Sequence, residues 1–68
     1  MAYTLWDTRS GNCIGEFEHE DDALSLVGEI AKDNGPDVAD TLELFAIDDQ
    51  GALQPLARGR ALLERVSA

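Results

Sequence analysis

Apolar residues at the start of the chain fall into two short runs that are rich in strand-forming side chains. Tyr3 to Asp7 is the first run, and Cys13 to Phe17 follows it across a turn that ends in Ser10, Gly11 and Asn12. Gly11 suits the left-handed position of a type I turn followed by a bulge. The pattern therefore predicts a β-hairpin.

A bulge at Gly11 sets the predicted register of this hairpin, with Trp6 opposite Ile14, Leu5 opposite Gly15 and Tyr3 opposite Phe17. A slip of one residue would place Tyr3 opposite Glu16 and mix the two faces, which favours this register. The faces then carry Tyr3, Leu5, Cys13 and Phe17 on one side, and Thr4, Trp6, Ile14 and Glu16 on the other.

Helical spacing follows the hairpin. Acidic residues from Glu18 to Asp22 lead into apolar positions at Ala23, Leu24, Val27, Ile30 and Ala31. Acidic residues in a first turn complement the helix dipole, and Asn34, Gly35 and Pro36 are typical of a helix end. We predict a helix from about Glu20 to Asp33.

The second half predicts the same order of elements: a third strand from Thr41 to Ile47, a fourth from Ala52 to Ala57 and a final helix from Arg60 to about Ser67. Val38 and Ala39 are expected to form a packed turn before the third strand. With Gly51 in the role of Gly11, Leu44 aligns with Leu56 and Ile47 with Leu53. Pro55 lacks a ladder donor, so the fourth strand should be an edge.

Sliding the chain on itself by 39 positions superposes the two halves without a gap, for example Tyr3 on Leu42 and Trp6 on Phe45. We therefore predict one domain, residues 1–68, with two pseudo-repeated ββα halves at about residues 3–35 and 41–68. If a pseudo-twofold axis relates them, the second strand is also an edge. The predicted fold class is α+β: a ββαββα chain with a four-stranded antiparallel sheet of order 2-1-3-4 and two helices on one face.

Both faces of this sheet carry large apolar side chains, and two short helices cannot easily cover both. With the helices on the face of Tyr3, Leu5, Leu42 and Leu44, an outward patch remains, formed by Trp6, Ile14, Phe45, Ile47 and Leu53. Such a patch is expected to exceed what a monomer leaves exposed, so it is the predicted interface. Two alternatives remain: one helix covers each face, or the register of one hairpin is different.

The length and charge of the chain argue against several classes of function. A chain of 68 residues buries only about 60% of its unfolded surface, and a single cysteine permits no internal disulfide. Cys13 and His19 are each alone and form no metal framework, and no cofactor is expected. Oligomerisation is therefore the favoured additional source of stability for the small core. Five basic residues against fourteen acidic ones argue against direct nucleic-acid binding. No leader or membrane span is recognisable, so a cytoplasmic location is the default expectation.

Three groups of side chains are candidates for chemistry. His19 stands where a helix N-cap would lie and is interpreted as a solvated residue, and Cys13 as a small buried hydrophobic side chain. The acidic run from Glu16 to Asp22 lacks the ordered spacing of a calcium loop and predicts a solvated edge. No catalytic residues, metal ligands or enzyme activity are predicted.

The stretch from Tyr3 to Gly15, with Phe17, an acidic run and Ala23-Leu24 after it, resembles small bacterial proteins of uncharacterised function that are common in actinobacteria. The resemblance covers most of the chain and extends to the Asp48, Asp49, Gly51 turn and the last helix. It implies a free-standing bacterial domain or a fusion partner, and carries over no activity or functional residue. His19 departs from the Asp or Thr expected at that helix start.

These observations predict a protein–protein interaction module, most simply a homodimer through the face of Trp6 and Phe45. An acidic inhibitor or nucleic-acid mimic that binds a basic partner is one alternative, because the chain carries a net charge of −9. A small-molecule binder that uses the aromatic face is another.

Overall fold

Four strands and two α-helices follow one another in the order ββαββα in the computed structural model, which describes residues 2–67 apart from the side chain of residue 67. The elements are β1 (Ala2–Asp7), β2 (Asn12–Phe17), α1 (Glu20–Asn34), a 3-10 helix (Pro36–Thr41), β3 (Leu42–Ile47), β4 (Leu53–Arg58) and α2 (Arg60–Ser67). Each predicted strand and helix is present, with its ends shifted by one residue at most.

The strands form one antiparallel sheet in the order β2-β1-β3-β4. This order confirms the prediction made from Pro55, which lies in the edge strand β4 and therefore leaves no ladder donor missing inside the sheet. The hairpins β1–β2 and β3–β4 meet through the central pair β1–β3, in which Leu5 lies opposite Leu44.

The core lies on one side of the sheet. Leu5 and Leu44 from the central strands are fully buried together with Val27 of α1 and Leu62 of α2. Because both helices contribute to this one cluster, they cover the same sheet face, as predicted. In β3 the buried positions alternate with half-buried ones, which is the period-2 pattern of a strand covered on one side.

The register of the first hairpin differs from the prediction at its turn end. Tyr3 lies opposite Phe17 and Leu5 opposite Gly15 as expected, but Trp6 lies opposite Cys13, and the predicted pair of Trp6 with Ile14 is wrong. Gly11 does adopt a positive φ of 75°, and its N–H donates to the carbonyl oxygen of Asp7 at 2.8 Å. This bond closes the turn over residues 8–11, so the bulge falls inside the ladder and leaves Ile14 as the extra residue.

The second hairpin has the same kind of irregularity. Ile47 lies opposite Leu53 as predicted, whereas Leu44 lies opposite Ala57 and not Leu56, because a bulge separates Leu44 from Phe45 in the ladder. Leu5 and Leu44 are 39 positions apart, but their partners Gly15 and Ala57 are 42 apart. The ungapped superposition therefore does not extend to β2 and β4, and the duplication of the two halves stays a prediction.

The connection between α1 and β3 stops the helix and seals one end of the core. Gly35, at φ 91°, donates its N–H to the Ala31 carbonyl at 2.8 Å, and the Asn34 side-chain amide donates to the Ile30 carbonyl at 3.0 Å. In the 3-10 helix that follows, Ala39 is completely buried. The packed turn predicted around Val38 and Ala39 is thus this short helix.

Candidate functional site: the open sheet face

One side of the sheet is left without a helix layer. This side, called the open face below, is reached by the strand positions that alternate with the core positions Leu5, Leu42, Leu44 and Ala46. By the strand pairing, its members are Ala2, Thr4, Trp6, Cys13, Glu16, Glu43, Phe45, Ile47, Leu53, Pro55 and Arg58. The shortest dimension of the molecule, 17 Å, corresponds to one sheet and one helix layer.

The five residues of the predicted interface differ in exposure. Trp6, Phe45 and Ile47 are half-buried, whereas Ile14 and Leu53 are 39% and 44% exposed. Trp6, Phe45 and Leu53 come together as walls of an open groove of about 360 Å³, which Asp7, Thr8 and Gly11 complete. Ile47 lies beside Leu53 in the ladder, and Ile14 lies at the bulge of β2, and neither lines the groove.

Thr4 forms the floor of the open face and is 2% exposed. Its hydroxyl lies 3.3 Å from the Gly15 carbonyl oxygen, to which it donates, and 3.3 Å from the Cys13 Sγ. Phe45 lies opposite Thr4 on the neighbouring strand. Because the buried hydroxyl has a partner, this part of the face is held in place by a hydrogen bond as well as by packing.

The interpretation of Cys13 as a small buried side chain is wrong. It was expected among the core side chains beside Leu5 and Phe17, but it is exposed and lies opposite Trp6. The bulge at Ile14 is the reason, because one extra residue in β2 reverses the side of the sheet to which Cys13 belongs.

The indole of Trp6 carries an unusual polar atom. Its Nε1 is buried, yet within residues 2–66 no acceptor lies within hydrogen-bonding distance. A buried donor without a partner costs roughly 1–3 kcal/mol relative to a satisfied one. The aromatic ring therefore holds its place in the groove through apolar contact alone.

Asp7 lies at the turn end of the groove, at a strand position that alternates with Trp6 and pairs with the core residue Leu42. Asp7 Oδ1 accepts the backbone N–H of Arg9 at 2.9 Å, and this hydrogen bond keeps the pKa of Asp7 below its ordinary value of 3.8. No Lys or Arg is among the residues that line the groove. The surface of the groove is almost entirely apolar, with two aromatic side chains among its walls.

Arg58 is the one basic residue that the strand pairing of residues 2–67 assigns to the open face. It is exposed and lies opposite Glu43, which in turn lies opposite Trp6. Arg58 and Trp6 are therefore at the same level of the sheet, two strands apart. The ion pair found in the described part of the chain is elsewhere, between Arg65 Nη2 and Glu20 Oε2 at 2.7 Å, where it joins α2 to the start of α1.

The remaining candidates lie around the first turn of α1. His19 is at the N-cap in an extended conformation, and its exposed side chain makes no capping hydrogen bond. Of the acidic run, Glu20 is half-buried and pairs with Arg65, while Glu16, Glu18, Asp21 and Asp22 are exposed. Over the described residues, no three His, Cys, Asp or Glu side chains come together in a way that could hold a metal ion.

Sequence reasoning missed the turn side of the groove. Asp7 ends the predicted first strand, and Thr8 and Gly11 belong to the predicted turn. Nothing in their residue types connects them with Phe45 or Leu53, which follow more than thirty residues later. The available signal was the position of the turn directly after Trp6. A turn that closes over residues 8–11 brings its own residues beside the last aromatic side chain of β1.

Comparison with protein-family models, with curated proteins and with solved structures finds no match for this chain. The class of protein is therefore defined by its own architecture: a small two-layer α+β domain with one sheet face uncovered and an aromatic groove on that face.

Among the described helices, none has both the length and the apolar character needed to cross a membrane.

Proposed function

We propose that this protein is an interaction module that associates with a second copy of itself through the open face. The observation that carries the proposal is the row of aromatic and aliphatic side chains on the side of the sheet opposite both helices. Aromatic side chains anchor protein interfaces, and burial of their apolar surface on both partners supplies the driving force.

Because the hydrophobic core is small, a second copy of the chain is the partner that we propose covers the open face. Within the described residues, the large side chains that are fully buried are Leu5, Leu44, Leu62 and Val27. A domain of this size gains stability from whatever covers its remaining apolar surface, and a partner that binds the folded state raises that stability by mass action. A second copy provides this wherever the protein itself is present.

The size of the open face sets the expected affinity. Four strands at about 4.8 Å spacing and six residues at about 3.4 Å rise give a flat footprint of roughly 400 Å². Protruding side chains enlarge the accessible area, but the interface stays near or below the ~800 Å² per partner of a stable complex. We therefore expect a reversible dimer with a dissociation constant of roughly 1–100 µM.

The resemblance of the opening stretch supports a bacterial origin for this dimer, and we include a cytoplasmic location in the proposal. In such a setting the domain acts alone or as the self-associating part of a larger protein.

The proposal is tested by the solution mass from light scattering over a dilution series that spans this affinity range. Trp6→Glu places a charge in the centre of the open face and should yield a folded monomer. Ser25→Glu adds the same charge at an exposed position of α1, on the helix side, and should dimerise like the wild type. Trp6→Phe keeps an aromatic side chain in the groove and should also remain dimeric.

Circular dichroism accompanies each sample to show that the variant is folded. A wild type that stays monomeric up to millimolar concentration contradicts the proposal, as does a Trp6→Glu variant that is folded and dimerises normally. If Trp6→Glu fails to fold, Leu53→Glu provides the same test from a more exposed position on β4.

A further inference from the structure

We propose that the edge strand β2 binds an extended segment of a partner protein as an additional strand of the sheet, and that basic residues alternate with apolar ones in this segment. The site is the free backbone edge at Glu16, which the hydrogen-bonding pattern of the sheet leaves open. The proposal goes beyond the dimer and does not depend on it. Backbone groups at an edge lie in the plane of the sheet, so a contact through the open face leaves them accessible.

The backbone hydrogen bonds determine the direction in which Glu16 points. Directly after β1, the Thr8 N–H donates to the Thr41 carbonyl oxygen at 2.7 Å, which makes these two a hydrogen-bonded pair. Hydrogen-bonded and non-hydrogen-bonded pairs alternate along an antiparallel ladder, so Thr4 also directs its backbone groups to β3, where it lies opposite Phe45. Glu16 lies opposite Thr4 on the other side. Its N–H and C=O therefore point away from β1, towards the free edge.

The opposite edge of the sheet is closed at the same level. Pro55 of β4 lies opposite Phe45, so one row of residues crosses the whole sheet: Glu16, Thr4, Phe45 and Pro55. By the same alternation, the backbone of Pro55 points outward, and proline has no N–H to donate there. Proline is one of the devices that keep an edge strand from pairing with another chain. Glu16 keeps its N–H at the equivalent position, so β2 is the edge that is able to accept a strand.

The charges around β2 select the partner. Residues 10–31 contain no Lys or Arg. The exposed acidic side chains of β2 and of the approach to α1 are Glu16, Glu18, Asp21 and Asp22. A second copy that paired through the same edge would bring these acidic residues against one another, and like charges on neighbouring strands destabilise the pairing. A different chain with basic side chains is attracted to the edge instead.

The alternation of side chains along β2 gives the pattern of the bound segment. Glu16 lies on the open face, so a residue opposite it in a bound strand extends its side chain on that face, where a basic group meets the carboxylate. The two neighbours of this residue extend to the helix side, beside Phe17, which packs against the core. Apolar side chains suit these two positions. The segment therefore alternates basic and apolar residues.

The test uses a blocked five-residue peptide, acetyl-Lys-Val-Lys-Val-Lys-amide, titrated at low salt into the protein labelled with nitrogen-15. The control is the same peptide with every backbone amide N-methylated, which keeps the charges but donates no backbone hydrogen bond. We expect the first peptide to shift the Glu16 amide signal and to bind about tenfold more tightly than the control. Equal affinities would mean that charge alone attracts the peptide, and would overturn the proposal.

Three variants of the protein separate the backbone contribution from the charge. Glu16→Pro removes the outward N–H as well as the charge, in the manner of Pro55 on the other edge, and should weaken binding more than tenfold. Glu16→Gln removes the charge alone and should weaken it roughly two- to fivefold. Glu29→Gln removes the same charge from an exposed position of α1 and should change it less than twofold. A Glu16→Pro variant that is folded and binds like Glu16→Gln contradicts the proposal.

Hydrogen exchange of the free protein provides a test that needs no variant. The Glu16 amide should exchange much faster than those of Gly15 and Phe17, whose pairing with Leu5 and Tyr3 directs them into the ladder, and the bound peptide should slow it. Equal protection of all three amides without peptide would show that the edge is not free, and would overturn the proposal. A monomeric wild type would contradict the dimer but would not affect any of these results.

Discussion

At the scale of single residues, Asp48 does most to shape the second hairpin turn. Its Oδ1 accepts the backbone N–H groups of Gln50 and Ala52 at 2.8 and 2.9 Å, and its Oδ2 accepts the side-chain amide of Gln54 at 3.4 Å. The hydrogen bond from Ala52, followed by that from Gln50, lowers the pKa of Asp48 below its ordinary value of 3.8. The charged form is thus the one that the folded turn prefers.

This preference makes the stability of the fold depend on pH in the acid range. A carboxyl group whose pKa is lower in the folded state stabilises the fold above its unfolded pKa, and this contribution is lost as the pH falls through the folded value. We expect Asp48→Asn to be less stable than the wild type at pH 7, because a neutral acceptor makes weaker hydrogen bonds. The two proteins should converge as the pH falls below 3.8 and through the lower pKa of the folded state, where the wild-type carboxyl becomes protonated as well.

Urea unfolding at several pH values between 7 and 2.5 measures this convergence. Asp49→Asn is the matched control, since Asp49 is the exposed neighbour in the same turn and accepts none of these hydrogen bonds. This variant should differ little from the wild type in its free energy of unfolding at pH 7, because it loses none of these hydrogen bonds. A constant gap for Asp48→Asn would contradict the assignment.

Trp6 gives a second prediction at this scale. Its buried Nε1 has no acceptor in the described part of the chain, so Trp6→Phe removes an unsatisfied donor together with some apolar area. The two effects oppose each other, and we expect the free energy of unfolding of the monomer to change by less than about 1 kcal/mol. Urea unfolding at concentrations below the dimer dissociation constant is the measurement. A loss above about 2 kcal/mol would mean that the indole N–H is bonded in solution.

At the scale of elements, the two helices meet at Gly28. A methyl group at this position would lie 3.3 Å from the Cγ1 of Val66 in the last turn of α2. A glycine inside a helix leaves room for a close approach by a neighbouring element. The structure shows a close approach, and the neighbour is a side chain.

Gly28→Ala should therefore stabilise the fold slightly. Alanine is favoured over glycine inside a helix by about 1 kcal/mol, and Val66 is half-buried at the end of the chain's last helix, where it can move by a few tenths of an ångström. We expect a net gain of about 0.5 kcal/mol in the free energy of unfolding from denaturant titration. In a Val66→Ala background the same substitution should give the full gain. Destabilisation in both backgrounds would show that the α1–α2 contact has no room for the methyl group.

At the scale of the whole molecule, net charge opposes self-association. Two copies of charge −9 repel, and salt screens this repulsion over a Debye length that falls from about 10 Å at 0.1 M to about 3 Å at 1 M. Raising the salt from 0.05 to 0.5 M should therefore tighten the dimer roughly three- to tenfold.

Light scattering at the two salt concentrations measures whether the dimer becomes tighter or weaker as salt is added. The alternative function is an acidic protein that mimics nucleic acid and binds a basic partner. It predicts the opposite salt dependence: the protein would bind a polycationic probe such as polylysine, and this binding would weaken steeply as salt rises. A dimer that dissociates as salt rises would show that attraction between charges, and not apolar contact, holds it together.

The elements and their order were predictable because each depends on short stretches of chain. Helical spacing from Ala23 to Ala31, the stop at Gly35 and the positive-φ glycines of both hairpin turns are local signals. The predicted strand order needed two further steps: the missing N–H of Pro55, which makes β4 an edge, and the assumed pseudo-twofold relation of the two halves, which makes β2 the other edge. Placement of both helices on one face also followed, because the alternation in β3 leaves one side consistently apolar and aliphatic.

The register near the turns and the membership of the groove were decided by tertiary structure. A bulge changes which face a residue joins, and its position depends on how the turn closes and on the pairing of β1 with β3, not on the residue types themselves. Cys13 moved to the open face for this reason, and Asp7 and Gly11 came beside Phe45 and Leu53 across the sheet. The sequence by itself determined which side chains are apolar and how the elements alternate, and the three-dimensional ladder decided which of them meet.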